Sequence, residues 1–258
     1  MLLVKAIHST EFLRANDLGV EIHITRDDTR EEFPQYIPFV GGIHLPYSNI
    51  NLAATDAELR RNGIGKFKNN IKTALQYNID TMVFHPCGIF SKDKQDVGKY
   101  PFLIDSLREI ADFAAAYGVT LAMENQVLRH PDMRIIAACS SEEWFQLHSD
   151  IARKNVKLTL DTSHAASVAA HGATLEERHR LLWGFLERPE LIARFHWSDA
   201  RLAADEAVYN DMHLVPGQGD LPRELHKTIL EHSAVKLLEQ KCSEAEVSQG
   251  LEFIAALA

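Results

Sequence analysis

Eight short apolar runs, each followed by a helical or loop-helix stretch, recur from one end of this 258-residue chain to the other. They read LLVKAI, VEIHI, GGIHL, DTMVFHP, VTLAMEN, VKLTLD, LIARFHW and VKLLEQ. Runs this short, separated by amphipathic segments, are the pattern of a parallel sheet with helical crossovers. In PFLIDSLREIADFAAAYG, the residues Phe102, Leu103, Ser106, Leu107, Ile110, Phe113, Ala114 and Tyr117 keep a period near that of the α-helix. Gly118 follows where a helix-ending glycine belongs. Ser243 and Glu246 form a capping-box pair at the head of the last helix, SEAEVSQGLEFIAALA. Eight such units predict an α/β chain folded as a (β/α)8 barrel, one domain over residues 1–258. The first helix, within STEFLRANDLG, is short, and a long loop from Ser198 to Leu221 follows the seventh strand.

In such a barrel the chemistry sits where strands end at their carboxyl side. The third strand ends on His44, the fourth on His85 and the fifth on Glu124. The sixth ends on Asp161, with His164 three residues on, the seventh on His196 and the eighth on Glu239. The long seventh loop adds Asp211 and His213. Any one of these alone reads as an ordinary hydrogen-bonded side chain. Together they crowd carboxylates onto one rim without an equal number of Lys or Arg, which is costly unless a cation compensates them. A divalent metal is the economical compensator. The donors are imidazole and carboxylate with no thiolate, a set that suits zinc first, with manganese, cobalt, iron or magnesium as alternatives. Nine donors exceed what one ion needs, so two or three ions are expected. His8, His23, His130, His148, His171, His179, His226 and His232 fall elsewhere and read as structural. Glu21 is open between a place inside the barrel and a polar layer at its bottom.

These strand ends carry a resemblance. HLPYSNINLAA, VFHPCG, MENQ, LDTSHAA, HWSDA and DMHLVPGQGDLP, in that order, make the chain similar to the xylose isomerase-like superfamily of metal-dependent barrels, and most like its endonuclease IV branch. The resemblance implies three zinc ions. His44, His85 and Glu124 would hold one; Glu124, Asp161, His196 and Glu239 a second, with Glu124 bridging; and His164, Asp211 and His213 the third. It further implies that hydroxide made available by the metals attacks a phosphodiester in abasic-site DNA. Tyr47 matches the position of a DNA-probing tyrosine. Arg129 and Arg201 are candidate substrate contacts, with Arg26, Arg30, Lys92, Lys94 and Arg134 on rim loops, although ordinary solvated charge is the simpler reading for most of them. The basic helix ELRRNGIGKFKNNIK is expected on the outer ring, away from the site.

The sugar isomerase and epimerase branch implies a different enzyme. There one metal on Glu124, Asp161, His196 and Glu239 would bind a small sugar, Glu124 or Glu239 would move a proton, and His164 would hold a sugar oxygen. The acidic balance, with net charge -9 and pI about 5.8, and the altered fifth loop, QVLRHPDMRII, favour that branch. The complete extra ligand set favours the hydrolase. A metal-dependent scaffold without catalysis is the third reading, disfavoured by the crowded rim. The acidic balance argues against a protein that coats nucleic acid or an anionic membrane by bulk charge, and leaves room for a local basic patch. Three cysteines without a CxxC spacing suggest neither a disulfide framework nor a thiolate metal site. With no run near 18 apolar residues and no signal-peptide pattern, a cytoplasmic protein without membrane partners is expected.

Overall fold

The computed structural model describes residues 1–24, 34–90, 98–128, 137–202 and 211–258. Its strands are β1 (Leu2–Lys5), β2 (Gly19–His23), β3 (Val40–His44), β4 (Thr81–Phe84), β5 (Thr120–Glu124), β6 (Val156–Asp161), β7 (Ile192–Trp197) and β8 (Val235–Leu238). Each pairs in parallel with its neighbour in sequence, and β8 pairs with β1, which closes the barrel. All eight strands fall on the apolar runs of the sequence. The helices between them are α1 (Thr10–Ala15), α2 (Ala57–Ala74), α3 (Tyr100–Ala115), α4 (Ser141–Ile151), α5 (Thr162–Ala169), α6 (Leu175–Gly184), α7 (Arg223–Glu231) and α8 (Glu244–Ala255).

Side chains alternate along each strand between the barrel interior and the helical ring. The outward set is apolar. It includes Ile22, Ile43, Phe84, Met123, Leu160, Phe195 and Trp197, all buried. On α3 the buried stripe is Leu103, Ile104, Ser106, Leu107, Ile110, Ala111 and Ala114. Tyr117, assigned to that stripe from its spacing, is instead 46% exposed, because α3 ends at Ala115 and Gly118 turns the chain at φ +71°. Trp144 on α4 is fully buried and donates its indole N–H to the Met123 carbonyl at 3.1 Å, tying the ring to β5. The capping box expected at Ser243 and Glu246 is present, and Ser140 with Glu143 forms another at the head of α4.

The inward set is polar in its upper half. Glu21 and Arg194 form a buried layer, with Nη1 3.7 Å from Oε2, and Arg194 Nη2 donates to the carbonyls of Gly41 and Thr81. A side chain at position 42 would collide with this pair, since a Cβ there would lie 2.7 Å from Glu21 Oε2 and 2.9 Å from Arg194 Nη1. Glycine is therefore required where β3 passes the Glu21–Arg194 layer. Glu21 thus points into the barrel and there forms a polar layer with Arg194 beneath the strand-end donors. No described helix is long and apolar enough to cross a membrane.

Candidate metal centre

Above this layer, the last inward residue of one strand after another converges. Three groups of side chains bring one donor atom each to within 4.8 Å of one another: His44, His85 and Glu124; Glu124, Asp161, His196 and Glu239; and Asp161, His164 and His213. Asp211 adjoins the third, with Oδ1 2.7 Å from His213 Nε2 and 3.6 Å from His164 Nε2. All nine strand-end and loop donors singled out in the sequence therefore meet at one rim.

Each donor is aimed by a neighbour. Asp161 caps α5 by accepting the His164 backbone N–H on Oδ1 at 2.8 Å, which leaves Oδ2 for the centre. Glu124 is shared: Oε2 lies 3.1 Å from His44 Nε2 and 3.0 Å from His85 Nε2, while Oε1 lies 3.3 Å from His164 Nδ1 and 3.4 Å from His196 Nδ1. His44 Nδ1 lies 2.7 Å from the Leu45 carbonyl, so a proton there leaves the Nε2 lone pair for the centre. His196 Nε2 lies 3.1 Å from Glu21 Oε1 on the side away from the centre, and Nδ1 faces the carboxylates. Asn125 binds both backbone groups of Asp161, donating to its carbonyl at 3.0 Å and accepting its N–H at 2.7 Å, and its own carbonyl lies 2.8 Å from His164 Nδ1.

The residues fit a cation. Asp161 Oδ2, His196 Nδ1 and Glu239 Oε2 are buried without a hydrogen-bond partner. His196 Nδ1 lies only 2.7 Å from Glu239 Oε2, yet neither is aligned on the other as a donor and acceptor would be. These atoms belong to the four-residue group whose donors lie within 4.8 Å of one another, a spacing that one cation could bridge. Charge at the site follows the same crowding. Burial pushes the Asp161 carboxyl up to about 6 against the pull of His164 and His213. Burial opposes charge on Glu124 too, but His196 and His85 outweigh it and hold that carboxyl well below the usual range. His164 and His196 are raised well above the ordinary imidazole value, because the carboxylates around them overcome burial.

The site opens into a cavity of about 1190 Å³. Tyr47 stands at its mouth, 46% exposed and stacked on His85 at 4.4 Å between ring centroids. The helix α2 is less remote than its sequence suggests, since Leu59 and its cap Asp56 line the cavity, although Lys68 turns away to Glu109 on α3. Arg201 is exposed and is not among the residues lining the cavity. Arg129, with Arg26, Arg30, Lys92, Lys94, Arg134 and His130, lies outside the described residues. Several lining residues escaped the sequence reading, among them Lys5, His23 and Lys241. Lys5 on β1 places Nζ 2.9 Å from Glu239 Oε1. His23 on β2, read as structural, stacks flat on His44 with centroids 4.4 Å apart and lines the cavity. Burial, His44 and Lys5 together press the His23 imidazole down to about 3, so its ring is neutral. His148, His226 and His232 do make structural contacts, to the Val156 carbonyl, the Trp197 indole and the Pro189 carbonyl.

Comparison with known proteins places this geometry. The family model for the xylose isomerase-like TIM barrel matches residues 25–257. An uncharacterized protein of Methanocaldococcus jannaschii is 25% identical over 182 residues, 69% of this chain; the match spans only 56% of that protein's length. Among solved structures, a D-tagatose 3-epimerase-like protein superposes with a TM-score of 0.71 at 20% identity, over 99% of this chain and 96% of the other. Endonuclease IV from Thermus thermophilus superposes with a TM-score of 0.68 at 18% identity, over 99% and 97%. At these identities the likeness shows the fold.

Proposed function

Because the chain belongs to the xylose isomerase-like TIM barrel family, we propose that it is a multinuclear metal-dependent hydrolase of the endonuclease IV type that cleaves a phosphodiester in abasic-site DNA. One observation carries this reading: donor groups lie on both sides of the four-residue set Glu124, Asp161, His196 and Glu239, with His44 and His85 on one flank and His164, Asp211 and His213 on the other. A single ion needs three or four protein ligands, so the flanking groups are ligands for further ions. His44, His85 and Glu124 would hold one zinc; Glu124, Asp161, His196 and Glu239 a second; His164, Asp211 and His213 a third. Ions held by these residues would supply Lewis acidity and an activated water for phosphodiester hydrolysis.

The chain's own residues do the rest. Glu124 presents one oxygen to each imidazole flank and so fixes the spacing of the sites. Tyr47 offers an exposed ring at the mouth, where a base or a deoxyribose face can stack. The cavity, at about 1190 Å³, exceeds the roughly 300–1,000 Å³ typical of small-ligand sites. That suits a strand better than a monosaccharide. The test is metal content per chain alongside cleavage of a duplex with one abasic site. Two to three zinc ions and metal-dependent cleavage are expected; one ion and an intact duplex would refute the proposal.

A second reading rests on the four-residue set alone, which is buried and complete without its neighbours. It would hold one metal for a sugar isomerase or epimerase, with Glu124 or Glu239 moving the proton and His164 holding a sugar oxygen. That reading requires one ion per chain, unchanged in His44→Ala, and turnover in a sugar panel.

A further inference from the structure

Among the described residues, the β1–β2 side of the rim contributes no member of the ligand clusters, yet the polar side chains of Lys5 and His23 line the cavity there. Lys5 is inward on β1, its side chain 15% exposed, and gives one N–H to Glu239 Oε1 at 2.9 Å. An ammonium carries three donors, so this contact leaves two. His23 is inward on β2, and its Nε2 is buried without a hydrogen-bond partner. The ring lies flat against His44, with planes 4° apart. In its Nε2–H tautomer His23 has a donor without an acceptor, and with the Lys5 ammonium on the adjacent strand, facing the same cavity, it makes a place for a ligand atom that accepts hydrogen bonds.

Charge decides what kind of acceptor. In the metal-free protein Lys5 answers Glu239. Once ions occupy the centre, two divalent charges already balance Glu124, Asp161, Asp211 and Glu239. The charge on Lys5 is then surplus in a buried place, and such a charge requires a counter-ion. We infer that Lys5 and His23 form an oxyanion subsite beside the metal centre, which binds a phosphate oxygen of the substrate through the protein and not through the metals. The inference deepens the phosphodiester reading and rests on it for the identity of the anion. The subsite also sets specificity: it favours a substrate whose anionic group stands next to the reacting bond, and a neutral sugar would leave Lys5 uncompensated.

Inorganic phosphate is the probe, titrated into zinc-loaded protein by calorimetry with metal content measured on every sample. Lys5→Met keeps most of the stem and should weaken phosphate binding about tenfold or more at unchanged metal content, the range for a charge-assisted hydrogen bond. Lys5→Arg should restore binding to within about threefold, and His23→Phe, which keeps the stacked ring, should weaken it by about threefold to tenfold. Phosphate held by the ions alone would ignore Lys5→Met, and that result overturns the subsite. So does metal loss in step with weaker binding, which would make Lys5 only a support for Glu239. The two proposals fail separately: Lys5-dependent phosphate binding by a protein that leaves abasic DNA intact keeps the subsite and removes the nuclease, and cleavage untouched by Lys5→Met does the reverse.

Discussion

Asp161→Asn separates two tasks that one carboxylate performs. Oδ1 caps α5 and Oδ2 faces the centre. Asparagine caps a helix about as well as aspartate, whereas alanine at such a position costs about 0.5–2 kcal/mol. The substitution therefore keeps the cap and removes only the charge. In the metal-free protein that charge is a burden, because burial raises the carboxyl from an ordinary 3.8 to about 6. A rise of about two units corresponds to roughly 3 kcal/mol at neutral pH. The sign follows from proton counting. Between about pH 4 and pH 6 the folded state holds a proton that the unfolded state has released, so stability falls as pH rises through that window and stays low above it. Metal-free Asp161→Asn should thus equal or exceed the metal-free parent in stability at pH 7, by up to about 3 kcal/mol, and should lack the decline between pH 4 and 6. With zinc the order reverses, since the parent gains binding energy that the variant cannot. Urea denaturation with and without chelator, at pH 4.5 and pH 7, reads both effects. A metal-free variant less stable than its parent by 1 kcal/mol or more at pH 7, or one that keeps the full metal complement, would refute the reasoning.

Three further outcomes are expected. Glu124→Gln should abolish turnover and lower the ion count, because it removes the charge shared by both imidazole flanks; elemental analysis and the cleavage assay check this, and a fully active variant would defeat both enzyme readings. Trp144→Phe should lower stability by about 1 kcal/mol or more, since it leaves the buried Met123 carbonyl without its indole donor; a urea midpoint equal to the parent's would contradict that. Asp199 accepts backbone N–H bonds from Ala200, Gly217 and Leu221 and so fixes both ends of the loop that carries Asp211 and His213. Asp199→Ala should therefore lose the ion held there first, seen as faster zinc release to a chelator.

The architecture could be read from the chain because strand and helix patterns alternate without interruption, and closure in sequence order needs no long-range guess. The rim was readable for a related reason. Once strand ends are known, period-two alternation says which residue faces inward, and on β3 to β8 that residue is the donor. Lys5 and His23 were missed because the apolar runs LLVKAI and VEIHI extend past them, so both looked like strand interior. The alternation was nevertheless present: Val20, Ile22 and Ile24 are buried apolar residues, and Glu21 and His23 stand between them. Asn125 was visible in the fifth strand's motif, but its task was not, since composition gives no hint that a side-chain amide will bind the backbone of the next strand. The stripe on α3 was overextended at Tyr117, because periodicity does not register where the hydrogen-bonded turns stop.

That amide has a consequence for the ion size that the candidate centre would prefer. Register pairing between β5 and β6 runs as far as Glu124 and Thr159, and beyond it the Asn125 side chain stands in for a strand residue by binding both the N–H and the carbonyl of Asp161. The spacing of the strand ends from which Glu124 and Asp161 project is thus held in part by one asparagine side chain. A glutamine would lengthen that link by a methylene, and the opening between the two carboxylates would then favour an ion of larger radius.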